Sequence, residues 1–181
     1  MENKLYTVTI FAENHVGLLN QVSNIFTRRK LNIETLSVSA SAIEGIHKFT
    51  ITVNTTVDMI IRVIRQIDKR VDVLKSYYNV DDELIYQEIA LFKISTSNLI
   101  ALGSIESLIR KYDIRILEIN DTFVAFEKTG HTEETRELFK ELSSKVEVLQ
   151  FIRSGKVAIT KSKVERLSDM LAHIESKLHK K

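Results

Sequence analysis

The 181-residue chain has no cysteine, no proline and no tryptophan, and only five glycines. Without cysteine there is no disulfide framework, no thiolate-held zinc and no thiol nucleophile. Average usage would place about nine prolines in a chain of this length. Such a shortage of breakers implies regular elements joined by short turns. No apolar run approaches the roughly 18 residues of a membrane span. Neither sign of charge dominates: 26 Lys/Arg stand against 24 Asp/Glu, a net charge of +2. Residues 1–80 carry 10 basic and 7 acidic groups and the remainder 16 and 17, so neither half has the basic balance of a nucleic-acid binder. The start, Met1-Glu2-Asn3-Lys4, lacks the basic-then-apolar profile of a signal peptide. The expectation is a cytoplasmic protein with no membrane and no nucleic-acid partner. A hydrophobic content of 44% is enough for a core that needs no staples.

What is present is periodicity. Leu5–Ala12 alternates, with Tyr6, Val8 and Ile10 on one face, and reads as a strand. After a break at Glu13–Gly17, Leu18, Leu19, Val22, Ile25 and Phe26 recur at helical spacing. Asn32–Ala40 alternates again, and so do Phe49, Ile51 and Val53 beyond a turn at Gly45. Ile60, Ile61, Ile64 and Ile67 make a second helical stripe, and Val71–Tyr78 closes as a strand. The order is βαββαβ in about 80 residues. It then repeats: a strand at Leu84–Ser95, a helix at Leu99–Tyr112, strands at Ile114–Ile119 and Thr122–Glu127, a helix at Thr132–Ser144 and a strand at Val146–Arg153, with Lys156–Ile159 extending it. The expected fold is α+β: two ferredoxin-like βαββαβ domains, each a four-stranded antiparallel sheet with two helices on one face. The domains run 1–79 and 80–162. Residues 163–181 carry an amphipathic helical pattern, which suits a helix packed on its own domain or one that docks a partner. In this topology Asn32–Ala40 lies at a sheet edge, with no proline or inward charge to blunt it, so it is expected to pair with a second copy or a partner chain.

Catalytic signatures are missing. There is no phosphate loop, no Gly-x-Ser-x-Gly and no His-Glu-x-x-His. The five histidines are scattered, and the carboxylates of Glu133, Glu134, Glu137 and Glu141 read as a solvated helix face. No catalytic residue, metal ligand or cofactor of its own is expected in this chain. The informative stretch is Ala12-Glu13-Asn14-His15-Val16-Gly17-Leu18-Leu19. A strand stops, a tight loop follows, and a helix starts at or after Gly17. The free N–H groups of a helix start suit a carboxylate, and an amide such as Asn14 can both donate and accept toward a zwitterion. Asn32 and Ile33 open the next strand and offer a second amide and a branched apolar side chain to the same groove. Equally, Asn14 and Asn32 are common turn and cap residues, and Gly17 a common backbone relief.

The run from Ala12 to Val22, followed by Ile25-Phe26-Thr27-Arg28-Arg29-Lys30-Leu31-Asn32-Ile33-Glu34-Thr35-Leu36, resembles the ACT domain of the acetolactate synthase regulatory small subunits. Further blocks match in order: Lys48–Ile51, Gln66–Lys69, Val71–Lys75, Gln87–Ile94 and Arg153–Ala158. The resemblance covers about residues 4–160. Several positions depart from the family pattern, among them Ile46-His47-Lys48, where members have Leu-Ser-Arg. Val16 stands where many members have proline, Lys30 where they have glycine, Leu31 where they have an aromatic, and Gln21 where they have arginine.

The resemblance implies a non-catalytic subunit that pairs through its ACT domains. It would join a catalytic large subunit that uses thiamine diphosphate, Mg²⁺ and often FAD. It would stimulate that partner and confer feedback inhibition by valine, isoleucine or another branched-chain amino acid. Carried over by motif position, the effector contacts are Asn14, His15, Val16, Gly17, Leu18 and Leu19, with Asn32 and Ile33 from the paired protomer. Helix-start N–H groups would hold the effector carboxylate, and Leu19 and Ile33 would line an apolar pocket. A free-standing amino-acid sensor acting on a different partner is the alternative reading.

Overall fold

A computed structural model describes residues 2–99 and 105–162. Its element order is β1 (Lys4–Glu13), α1 (Leu18–Arg28), β2 (Ile33–Ala40), β3 (Ile46–Thr55), α2 (Val57–Ile67), β4 (Val73–Asn79), β5 (Leu84–Ser95), α3 (Ile105–Tyr112), β6 (Arg115–Ile119), β7 (Phe123–Gly130), α4 (Thr132–Lys145), β8 (Val148–Arg153) and β9 (Val157–Thr160). Single 3₁₀ turns occupy Asp81–Glu83 and Thr96–Leu99. Of the expected helix over Leu99–Tyr112, Leu99 ends a 3₁₀ turn and Ile105–Tyr112 is helical; residues 100–104 lie outside the described residues, as does the 163–181 segment.

The chain divides into two compact units, with boundaries at Ile85/Tyr86 and Val157/Ala158. The first sheet has strand order β2-β3-β1-β4 and the second β6-β7-β5-β8, with β9 added against β5. Both are the antiparallel split-βαβ arrangement read from the periodicity. In the first unit the register pairs Tyr6 with Val53, Val8 with Ile51 and Ile10 with Phe49. This puts three apolar pairs on one face. Leu18, Val22, Ile25 and Phe26 of α1 and Ile60, Val63 and Ile67 of α2 close over them, all buried. In the second unit Phe92 stacks on Phe126 at 5.2 Å, Phe151 lies 4.9 Å from Phe92, and Leu138 and Leu142 of α4 are fully buried. Each sheet thus buries its own core against its own helices.

The end of α1 explains one departure in the sequence. The Leu31 N–H donates to Phe26 O at 3.0 Å and the Lys30 N–H to Thr27 O at 2.9 Å. These are the paired closing bonds of a Schellman turn, which needs a left-handed residue between them. Lys30 is that residue, at φ +57°. Leu31 then packs on the core that Phe26 belongs to. Lysine at this position carries a Cβ clash that glycine would not, of about 1 kcal/mol.

Candidate functional site

The loop between β1 and α1 is tied down at three points. The Asn14 N–H donates to Gly45 O at 2.9 Å in the β2–β3 turn. The Glu13 N–H donates to Asp72 O at 2.9 Å. The His15 ring Nδ1 lies 3.1 Å from Asp72 Oδ1, and its Nε2 lies 3.6 Å from Glu13 Oε2. Ligand atoms of Glu13, His15 and Asp72 all fall within 4.8 Å of one another. A cation there would have to displace the His15–Asp72 bond, which already serves as a clasp for the loop. Asp72 sits 57 residues from His15, so no local sequence signal reveals this tie.

Gly17 caps α1 in the left-handed region at φ +86°, and no side chain caps the helix. A Cβ built on Gly17 would meet nothing within 4 Å, so the glycine is needed for its backbone angle and not to avoid a neighbour. The Leu18 N–H is spent on His15 O at 3.3 Å. The Leu19 and Asn20 N–H groups lack a backbone partner among the described residues. A first helical turn without acidic residues or a side-chain cap leaves the positive end of the dipole open to an anion. Asn20 was not among the residues expected from the sequence. Its place in the first turn becomes evident only once the helix start is fixed at Leu18.

The expected residues separate into groups. Asn14, His15, Val16 and Gly17 are exposed on the loop, with Val16 fully so, and Leu19 is exposed in the first turn of α1. Leu18 turns its side chain into the core and has only backbone to offer. Asn32 and Ile33 do not share a groove with the loop of their own chain. Glu13 is level with Ile46 on β3, whereas Ile33 is level with Val53. Seven residues of strand separate them, roughly 23 Å. The chain returns through α1 to the opposite end of the sheet before β2 begins.

β2 itself is an open edge. Among the described residues it pairs only with β3. Leu36 and Val38 face the same side as core residues Ile51 and Phe49, yet both stay exposed. Its only charged residue is Glu34.

The later sequence blocks meet inside the second unit. Glu88, only 3% exposed, accepts from Thr132 Oγ1 at 2.7 Å and from Arg153 Nη1 at 3.2 Å. The Glu88 and Arg153 blocks therefore converge on one buried charge.

Comparison with known proteins interprets these features. Residues 8–75 match the family described as the AHAS small subunit-like ACT domain, and residues 87–162 match the small subunit of acetolactate synthase. The chain belongs to the acetolactate synthase small-subunit family. Among relatives, the acetolactate synthase small subunit of Mycolicibacterium smegmatis is 24% identical, over 86% of this chain and 91% of its own. The probable acetolactate synthase small subunit of Archaeoglobus fulgidus is 26% identical, over 86% and 96%. That of Bacillus subtilis is 22% identical, over 89% and 93%. The fold superposes on the crystal structure of the small subunit from Thermotoga maritima with a TM-score of 0.79 at 24% identity, over 89% of this chain and 99% of that one. As a small-subunit family member, the chain has a regulatory role, and the cofactors of acetolactate synthesis belong to the catalytic partner. Among the described residues no helix is long and apolar enough to cross a membrane.

Proposed function

We propose that this chain is a cytoplasmic, non-catalytic subunit that stimulates a thiamine-diphosphate-dependent acetolactate synthase and makes it sensitive to a branched-chain amino acid. Residues 1–79 form the effector-binding ACT domain, 80–162 the second ferredoxin-like domain, and 163–181 a tail. The observation that carries the reading is the uncapped start of α1 at Gly17 within a small-subunit sequence. The Leu19 and Asn20 N–H groups receive the effector carboxylate, and Asn14 contacts its ammonium through the side-chain carbonyl.

The separation of Asn32 from the loop argues for a dimer. Antiparallel pairing of β2 with β2 of a second copy places the start of one strand near the end of the other. Asn32 and Ile33 of one protomer then approach the β1–α1 loop of its partner. Leu36 and Val38, exposed in the single chain, are covered. Leu19 and the partner's Ile33 supply the apolar lining that favours a branched side chain over glycine or alanine.

The test is co-purification with the catalytic subunit and a rate assay with and without valine, leucine or isoleucine. The reading requires stable association and a faster catalytic subunit. A chain that neither binds nor stimulates its partner refutes it.

A further inference from the structure

The outer face of α1 and α2 carries a second, unrelated feature. A groove of about 410 Å³ is lined by Arg29, Arg62, Arg65, Gln66 and Lys69. An adjoining one of about 200 Å³ shares Gln66 and adds Arg28 and Arg70. No carboxylate lines either groove. None of the six cations makes an ion pair with a described residue. This happens in a chain whose net charge is only +2, so composition does not force it.

The arrangement costs stability. Arg62 and Arg65 are three residues apart on one helix, and Arg65 and Lys69 four apart. The first spacing brings like charges side by side on α2, and Lys69, just past the helix, lines the same groove. Cations near a helix C-terminus gain from the dipole, which accounts for Arg28, Arg65 and their neighbours. It does not account for Arg62, which sits mid-helix. Arg29, the C-cap of α1, lies at such a terminus too, and it is also held by a side chain of α2. One guanidinium nitrogen of Arg29 donates to Gln66 Oε1 at 2.7 Å, which fixes the plane of the group, while its Nε is buried with no partner among the described residues. The Arg29 guanidinium is thus pre-positioned by Gln66 in the same groove as Arg62, Arg65 and Lys69.

We propose that the α1–α2 face of the first unit binds a compact oligophosphate group, with Arg29, Arg62, Arg65 and Lys69 as its charge partners and Gln66 positioning Arg29. Guanidinium forks match phosphoryl oxygens bidentately, and several converging cations match two or three adjacent phosphoryl groups better than one. The groove volume suits a small ligand. The lining has no aromatic on which a base of single-stranded nucleic acid would stack.

The experiment is calorimetric titration of the full chain with inorganic tripolyphosphate, pyrophosphate and orthophosphate at low and physiological salt. The structure predicts saturable tripolyphosphate binding at least tenfold tighter than orthophosphate. The exposed double change Arg62→Ser/Arg65→Ser is expected to weaken it at least tenfold and to leave the free protein folded, with a thermal midpoint within about 4 °C of the wild type. Gln66→Leu keeps every charge and is expected to weaken binding by releasing Arg29 and removing a polar group from the groove lining. A nucleoside triphosphate run alongside separates the sources: equal affinity assigns a free oligophosphate, tighter binding its ester. Equal weak binding of all three anions overturns the proposal, as does tripolyphosphate affinity that survives the double change. A polyglutamate peptide that binds this face more tightly than tripolyphosphate also overturns it, because the face then serves an acidic protein segment.

Discussion

The two units share a strand order and a helix placement, and they differ in how their polar surfaces are finished. α2 and α4 hold the same place in the βαββαβ order. The cations of α2 and its C-terminal extension stand without acidic partners among the described residues. On α4, Glu134 pairs with Lys128 at 3.2 Å, and Glu141 pairs with Lys145 at 2.7 Å, with Lys111 and with the Tyr112 hydroxyl. β2 and β6 are likewise counterparts at the sheet edges. β2 runs eight residues with only Glu34 charged; β6 runs five, with a register shift and an Arg115–Glu127 pair at 2.8 Å. Shortness, charge and a bulge are how proteins blunt an edge. One skeleton thus appears once with a long, nearly uncharged edge and cations lacking acidic partners among the described residues, and once with charges paired to one another. Function resides in this finish, not in the fold.

The contrast can be broken most severely at the edges. Val38→Lys puts a charge on the open edge of β2 and should turn a dimer into a monomer, read by light scattering on a sizing column. Ile119→Lys on β6 should leave the mass unchanged. Equal effects of the two would erase the distinction between the edges. Next in size is the buried Glu88. Arg153→Met removes its charge partner and leaves Thr132, and urea unfolding should show a loss of about 2 kcal/mol. Smaller still is the left-handed residue after each first helix. Lys30→Gly should raise stability by about 1 kcal/mol. Asp113→Gly, at φ +51°, should gain less, because aspartate tolerates this region.

The smallest effect is a titration. Hydrogen bonds from Lys111, Lys145 and Tyr112 hold the Glu141 carboxyl well below its ordinary range, at about 2. A lowered folded-state value stabilises the second unit above the ordinary carboxylate range and ceases to do so as pH falls toward 2. NMR titration should place the midpoint of Glu141 at about 2, and Lys111→Met should move it up. A midpoint near 4.5 would mean the charges on α4 are not paired as described.

The order of elements was legible in the sequence because β1, β3, α1, α2 and α4 each bury one apolar face at their own period, and the other elements repeat their spacing. Val8, Ile10, Ile51 and Phe26 are inside as their spacing demands. Long-range ties were not legible: His15 to Asp72, Asn14 to Gly45 and Glu88 to Arg153 connect residues that only the topology brings together. The distance between Asn32 and the Gly17 loop was hidden for the same reason. Motif spacing along the chain says nothing about which end of a sheet a residue occupies. Lys30 was visible as a departure from the family pattern, but its meaning, a left-handed turn closed by lysine, needed the backbone angle.

The central claim is that the effector site is shared between two protomers, and a mixing experiment tests it directly. Asn14→Ala and Asn32→Ala are each expected to abolish calorimetric binding of valine, leucine and isoleucine. Co-refolding the two variants creates heterodimers in which one site has both defects and the other has none. Random pairing should then restore about a quarter of the wild-type sites at wild-type affinity. No recovery on mixing, or full binding by Asn32→Ala alone, would contradict a shared site.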